Sequence, residues 1–113
     1  MTIDSVVLRR RVDELAPALD FYVRLTGLPA TRFRLAGLDL ASVGPFLLFS
    51  GPDKIAERFA AVAATLFVAD LDSAVAHCAA FGGEVVAAPA PTPNGRRAVV
   101  RHPDGGVYEY VGA

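Results

Sequence analysis

The sequence predicts an α+β fold of two tandem βαβββ units. Two observations carry this expectation. Shifting the chain by 56 residues puts Val12-Asp13-Glu14-Leu15 on Val68-Ala69-Asp70-Leu71, Leu19 on Val75, Tyr22 on Cys78 and Gly27 on Gly83. A repeat of this length is one supersecondary unit copied. In each copy, a stretch of helical periodicity precedes three short β-branched or aromatic runs broken by glycine and proline, the pattern of one helix and three strands.

The first copy opens with Val6–Val12, an apolar run carrying Arg9, Arg10 and Arg11, read as a strand. Asp13-Glu14 then places acids at the positive end of a helix dipole. Leu15, Ala18, Leu19, Tyr22 and Leu25 recur at helical spacing and define the buried face. Pro17 is tolerated only in the first turn, which fixes the helix start near Glu14–Ala16, and Gly27 is the stop. Thr31–Leu35, Asp39–Val43 and Phe46–Phe49 read as strands separated by Ala36-Gly37 and Gly44-Pro45. Gly51–Arg58 joins the copies.

In the second copy, Ala63–Val68 is a strand and Asp70 to about Phe81 a helix, stopped by Gly82-Gly83. Glu84–Ala88, Arg97–Arg101 and Val107–Val111 are the strands that follow. The Pro-rich stretch Pro89–Gly95 between the first two reads as a mobile lip. Val99–Val111 forms a strand, a tight turn at Pro103-Asp104-Gly105-Gly106, and a second strand. The organisation is a single domain over residues 1–113, with unit one at about 5–50, a linker at 51–60 and unit two at about 61–112.

A chain of 113 residues suits one ordinary domain and buries enough surface for a core without staples. Although 53% of the residues are hydrophobic, no apolar run reaches the roughly 18 residues of a bilayer span, and Met1–Ser5 lacks the pattern of a signal peptide. The single cysteine, Cys78, excludes an intramolecular disulfide and a Cys-rich zinc site. A net charge of −1 gives no footprint for nucleic acid. The expectation from these features is a cytoplasmic protein with neither membrane nor nucleic acid as a partner.

The paired units resemble the vicinal oxygen chelate superfamily, which includes glyoxalase I, extradiol dioxygenases and bleomycin-resistance proteins. The resemblance rests on Val12-x-x-Leu15-x-x-x-Leu19-Asp20-Phe21-Tyr22 ahead of Gly27, and on His102-Pro103-Asp104-Gly105 ahead of Glu109. It implies four metal-ligand positions, two per unit, and these fall on Val7, Leu48, Ala63 and Glu109. Side chains of Val, Leu and Ala offer no lone pairs, and one carboxylate cannot replace the four to six ligands of a divalent ion. A metal-free member is therefore expected, with no cofactor, and metal-dependent glyoxalase or dioxygenase activity is not. The resemblance also implies curved, mainly antiparallel sheets around a groove with the helices on the outside, and a homodimer.

Counting in twos along the strands puts Arg9 and Arg11 with Val7, Phe46 with Leu48, Thr65 and Phe67 with Ala63, and Val107 with Glu109. The expected groove is an apolar concavity with a cationic edge and one acid, the make-up of a small-molecule pocket. Glu109 has three readings: a charge paired with Arg9 or Arg11, a ligand contact, or general-base or metal work. Arg9 and Arg11 are either solvated strand-end charges or an anion site. His102 reads as an exposed turn residue, Cys78 as a small core residue, and Phe21, Tyr22, Phe49 and Phe81 as core. The expected function is sequestration of a small, partly hydrophobic ligand by Arg9, Arg11, Phe46, Leu48, Thr65, Phe67, Val107 and Glu109. The alternative is a metal-independent enzyme with Glu109 as proton acceptor.

Overall fold

Every residue except Asn94 is described in the computed structural model. The chain divides into two compact units, Val7–Ala61 and Val62–Ala113, with Met1–Val6 grouped with the latter. In the first unit, β1 (Ile3–Arg11) leads into α1 (Leu15–Thr26), then β2 (Ala30–Leu35), β3 (Leu38–Val43), β4 (Phe46–Ser50) and α2 (Asp53–Ala60). The four strands lie in the order β2-β3-β4-β1. β2, β3 and β4 run antiparallel as a meander, and β1 runs parallel to β4, with Leu8 opposite Phe46 and Arg9 opposite Leu47.

Two apolar clusters lie on opposite faces of this sheet, because alternate strand residues point to opposite sides. Leu15 and Leu19 of α1 pack on Ala41, Val43 and Leu48, with Tyr22 and Phe46 at the margin. Ala56, Ile55 and Phe59 of α2 pack on Leu38, Leu40 and Phe49. The segment expected to be a plain joiner is thus a helix. Its apolar residues Ile55, Ala56 and Phe59 recur at helical spacing, and Asp53 sits in its first turn, where the dipole favours an acid.

α1 begins at Leu15, with Pro17 in its first turn as expected, and ends where Gly27 takes φ 68° and donates its N–H to the Val23 carbonyl at 2.9 Å. Two aromatics expected in the core are instead exposed: Phe21 at 59%, because it lies off the Leu15–Leu19–Tyr22 stripe, and Phe81 at 76%, beyond the end of its helix. Leu25, expected on the buried face of α1, is 62% exposed because helical spacing puts it to one side of the stripe that Leu15, Leu19, Tyr22 and Val23 pack on the sheet.

The second unit repeats the plan with β5 (Ala64–Val68), α3 (Leu71–Ala80), β6 (Glu84–Thr92), β7 (Gly95–Arg101) and β8 (Val107–Gly112), in the strand order β5-β8-β7-β6. Here too the first strand runs parallel to the last, with Ala64 opposite Tyr108 and Thr65 opposite Glu109. The side chain of Asp70 caps α3, accepting from the Ser73 N–H at 3.1 Å and the Ser73 hydroxyl at 2.9 Å. These bonds hold the Asp70 carboxyl below its ordinary pKa, the backbone N–H foremost.

α3 packs on Leu66, Val68, Ala98, Val100 and Tyr110 through Leu71 and Ala74. The close fit of β8 on β5 requires glycine at the end of β8, since a Cβ on Gly112 would collide with the Val68 carbonyl. The expected proline-rich lip is a strand: β6 continues through Pro89 and Pro91 to Thr92, with irregularities in register between Val85 and Ala90. In this unit's order β6 pairs only with β7, and an edge strand tolerates proline wherever the nitrogen faces away from its single neighbour. Asn94, in the same stretch, lies outside the described residues.

Phe49 is fully buried, with its ring 4.7 Å from that of Phe59. Phe49→Ala should therefore lower the unfolding free energy by about 3–5 kcal/mol, measured by urea denaturation.

Candidate functional site

In each unit, one face of the sheet is closed by a helix whose residues form the main core, and the expected functional residues divide between the two faces. In the second unit, Leu66 and Tyr110 point to α3. Their neighbours Thr65 and Glu109, which are register partners, point to the other face, as do Phe67 and Val107 by alternation. These four expected residues share one face. β7 adds Val99, opposite Glu109, and Arg97, two residues away.

The carboxylate of Glu109 is held at both oxygens. Arg97 Nε donates to Oε2 at 2.6 Å and the Thr65 hydroxyl donates to Oε1 at 2.8 Å. The glutamate side chain is 16% exposed and the arginine 40%. A half-buried carboxylate in an apolar strand is costly unless bonded, and these charge-assisted bonds offset the cost. Arg97 was not among the expected residues. The signal for it lies in the pairing, because a residue on the central strand β7 borders the same face of β8, but a sequence does not display that register.

In the first unit the cations sit on the α2 side. The Arg9 guanidinium stacks over the Phe59 ring, 4.0 Å from its centroid, and its Nη1 donates to the Phe59 carbonyl at 3.1 Å. A cation over an aromatic face is stabilised by the ring quadrupole. Arg11 Nη2 reaches Asp53 Oδ1 at 2.7 Å. The two arginines therefore share a face, as alternation requires, and each is tied to α2.

Phe46 and Leu48 do not share that face. Leu48 is packed in the α1 cluster and Phe46 lies against Tyr22, with ring centroids 4.6 Å apart. The residues of β4 on the α2 side are Leu47 and Phe49, opposite Arg9 and Arg11. The sequence-level count placed this strand one residue out. A one-residue slip carries every side chain of a strand to the other face. The register gives Leu47, not Leu48, as the counterpart of Glu109, because Arg9 faces Leu47 as Thr65 faces Glu109.

The residues do not fit a metal. Val7, Ala63 and either Leu47 or Leu48 carry no donor atoms, and the Glu109 carboxylate is committed to Thr65 and Arg97. Among the described residues no group of three or more His, Cys, Asp and Glu gathers in a way that could hold a metal ion.

A cavity of about 450 Å³ opens in the first unit, lined by Arg9, Leu35, Leu38, Ile55, Arg58 and Phe59, with Ala36 at its edge. The guanidinium of Arg9 and the apolar side chains of β2, β3 and α2 meet there because α2 folds back over the sheet. None of the described residues lining it is acidic. A second cavity, also about 450 Å³, lies in the second unit on the α3 side and includes Cys78, His102 and Tyr110. His102, expected to be exposed, is half-buried, and its Nε2 lies 2.7 Å from the Tyr110 hydroxyl. Cys78 packs against the α3 core cluster and donates to the same hydroxyl at 3.4 Å.

The fold and the paired units define a class, and comparison with known proteins agrees. The profile of the Glyoxalase/Bleomycin resistance protein/Dioxygenase superfamily matches residues 2–110. The chain belongs to this superfamily. Comparison with curated proteins gives no match. Among solved structures, an uncharacterized protein from Methanosarcina mazei is 36% identical with a TM-score of 0.85, the alignment covering 99% of this chain and 94% of that one. Methylmalonyl-CoA epimerase from Mycobacterium tuberculosis is 20% identical with a TM-score of 0.64, covering 97% of this chain and 88% of that one. A superfamily member from Vibrio splendidus is 14% identical with a TM-score of 0.55, covering 99% and 100%. The last two are similar in fold. No helix of the described residues is long and apolar enough to cross a membrane.

The pairing of Glu109 with Arg97 can be measured. A double-mutant cycle of Arg97→Met and Glu109→Gln, read by chemical denaturation, should give a coupling of about 1–2 kcal/mol, below a fully buried pair because Arg97 is substantially solvated.

Proposed function

We propose that the protein is a small-molecule-binding member of its superfamily, taking up a compact, partly apolar anion such as a short-chain or aryl carboxylate without metal. The observation that carries this reading is the first-unit cavity. Leu35, Leu38, Ile55 and Phe59 offer an apolar wall, and Arg9 and Arg58 bring two guanidinium groups to it. A mostly apolar pocket with a few placed polar groups is the usual design of a small-molecule site. Guanidinium is suited to a carboxylate because its donors form a planar fork. Arg58 is the exposed member of the pair and would meet the anion, while Arg9, stacked on Phe59, would form the cationic floor. The ligand set expected from sequence is thereby revised: Arg9 is retained, Phe46 and Leu48 are replaced by residues of β2, β3 and α2, and Arg11 is directed to Asp53.

The enzyme alternative rests on Glu109 as proton acceptor. The bonds from Arg97 and Thr65 at both of its oxygens support a structural charge more than a base, since a base must be free to reach a substrate proton. Pairing of two copies is part of the same reading. Phe21, Leu25 and Leu28 are exposed around the end of α1, and such side chains favour burial against a partner.

Hexanoate and benzoate should raise the melting temperature, by about 10 °C at 100-fold above Kd, whereas the matching amides should not. Arg58→Ala should abolish the shift with the apo melting temperature unchanged, and no shift with any carboxylate would remove the reading. Sedimentation equilibrium at micromolar concentration should give a dimer, dissociated by Phe21→Glu combined with Leu25→Glu.

A further inference from the structure

We propose that the cavity between α3 and the β7–β8 turn is a second small-molecule site, where the Cys78 thiol adds to apolar α,β-unsaturated aldehydes or ketones. The inference rests on a cluster within the second unit and does not depend on the first-unit cavity. Cys78 lies on α3, Tyr110 in the middle of β8 and His102 directly after β7, at the start of the turn, and all three line the same space of about 450 Å³. Phe81, Pro103 and Met1 give the rest of the lining its apolar surface, with His77 and Asp104 as its further polar members.

The three side chains form a chain of hydrogen bonds. The Cys78 thiol donates to the Tyr110 hydroxyl at 3.4 Å, and that hydroxyl lies 2.7 Å from His102 Nε2. The imidazole is held in place by stacking on Tyr108, with ring centroids 4.3 Å apart and planes 24° from parallel. The backbone fixes the turn around it, since the His102 N–H donates to the Gly106 carbonyl at 2.7 Å and the Gly105 N–H to the His102 carbonyl at 2.9 Å. Burial, and then the neighbouring thiol, push the Tyr110 phenol above its ordinary range, so it remains protonated and serves as a relay. A purely structural cysteine needs neither a phenol nor an imidazole beyond it, and the apolar cavity gives an electrophile room beside the sulfur.

The step balances without a co-reactant. Sulfur attacks the β-carbon of the electrophile, forming the S–C bond as the C=C π pair moves to the α-carbon. The thiol proton passes to the Tyr110 oxygen while the Tyr110 proton passes to His102 Nε2. The reverse relay then returns one proton to the α-carbon. Nothing leaves, and the adduct contains the whole electrophile. The activation of a nucleophile by a base in hydrogen-bonded reach is a general device, extended here by one phenol.

The test is incubation of the full chain with trans-2-nonenal, followed by intact-protein mass spectrometry over time, with glutathione as the reference thiol. The expected result is a single adduct, absent in Cys78→Ser, forming about 100-fold faster than on glutathione and slowed to a similar extent in Tyr110→Phe. Circular dichroism establishes that each variant folds. His102→Gln, at a half-buried position just outside β7, gives the same reading if the Tyr110 variant does not fold. Absence of an adduct, a rate within tenfold of glutathione, or a rate unchanged in the relay variants overturns the proposal. Carboxylate binding in the first unit is unaffected by these variants, so the two readings fail separately.

Discussion

In each unit the register of one parallel strand pair fixes the arrangement of everything else. β1 lies parallel to β4 and β5 to β8, with Leu8 against Phe46 and Ala64 against Tyr108. Paired residues on neighbouring strands point to the same side of a sheet. Once these pairs are set, the α1 and α3 sides receive Leu48, Leu66 and Tyr110, and the opposite sides receive Arg9, Thr65 and Glu109. The chain returns to a parallel partner only after a helix and a meander, which explains why each unit needs its four strands and the helix that follows the first of them.

The same scaffold carries different chemistry in its two copies. The parallel pair that is Arg9 with Leu47 in one unit is Thr65 with Glu109 in the other. Each unit contributes compensation of its own. In the first, α2 brings the Phe59 ring beneath the Arg9 guanidinium. In the second, β7 brings Arg97 to the Glu109 carboxylate. Both charged groups are partly withdrawn from water, and desolvation of a charge has to be offset by a ring, a counter-ion or a hydrogen bond. The copies have kept the fold and exchanged the charge.

α2 gives the first unit its cavity. It packs Ala56 and Phe59 on Leu38, Leu40 and Phe49, leaving Ile55, Arg58 and Arg9 around an open space. Without it, the α2-side face of that sheet would lose its cover over Leu38, Leu40 and Phe49. The second unit has no equivalent helix among the described residues. Its cavity lies on the α3 side, between that helix and the turn after β7.

The sequence by itself determined the repeat, the class of fold, seven of the eight strands to within about three residues, and the starts and stops of α1 and α3. These follow from local rules: alternation, helical periodicity, Pro17 in a first turn and Gly27 at a left-handed φ. It also placed Thr65, Phe67, Val107 and Glu109 on one face, since each lies in a strand of the second unit whose parity was counted correctly.

Only the tertiary structure decided the rest. The face of Phe46 and Leu48 depended on a register in which Leu47, not Leu48, answers to Glu109, and a five-residue strand of Phe, Leu, Leu, Phe and Ser has no alternation to reveal it. Pro89 and Pro91 entered a strand because β6 has one pairing edge in its unit, a property of strand order. Arg97, Phe59 and the Cys78–Tyr110–His102 chain are contacts between residues distant in sequence, and no local pattern encodes which partner a buried polar group will find.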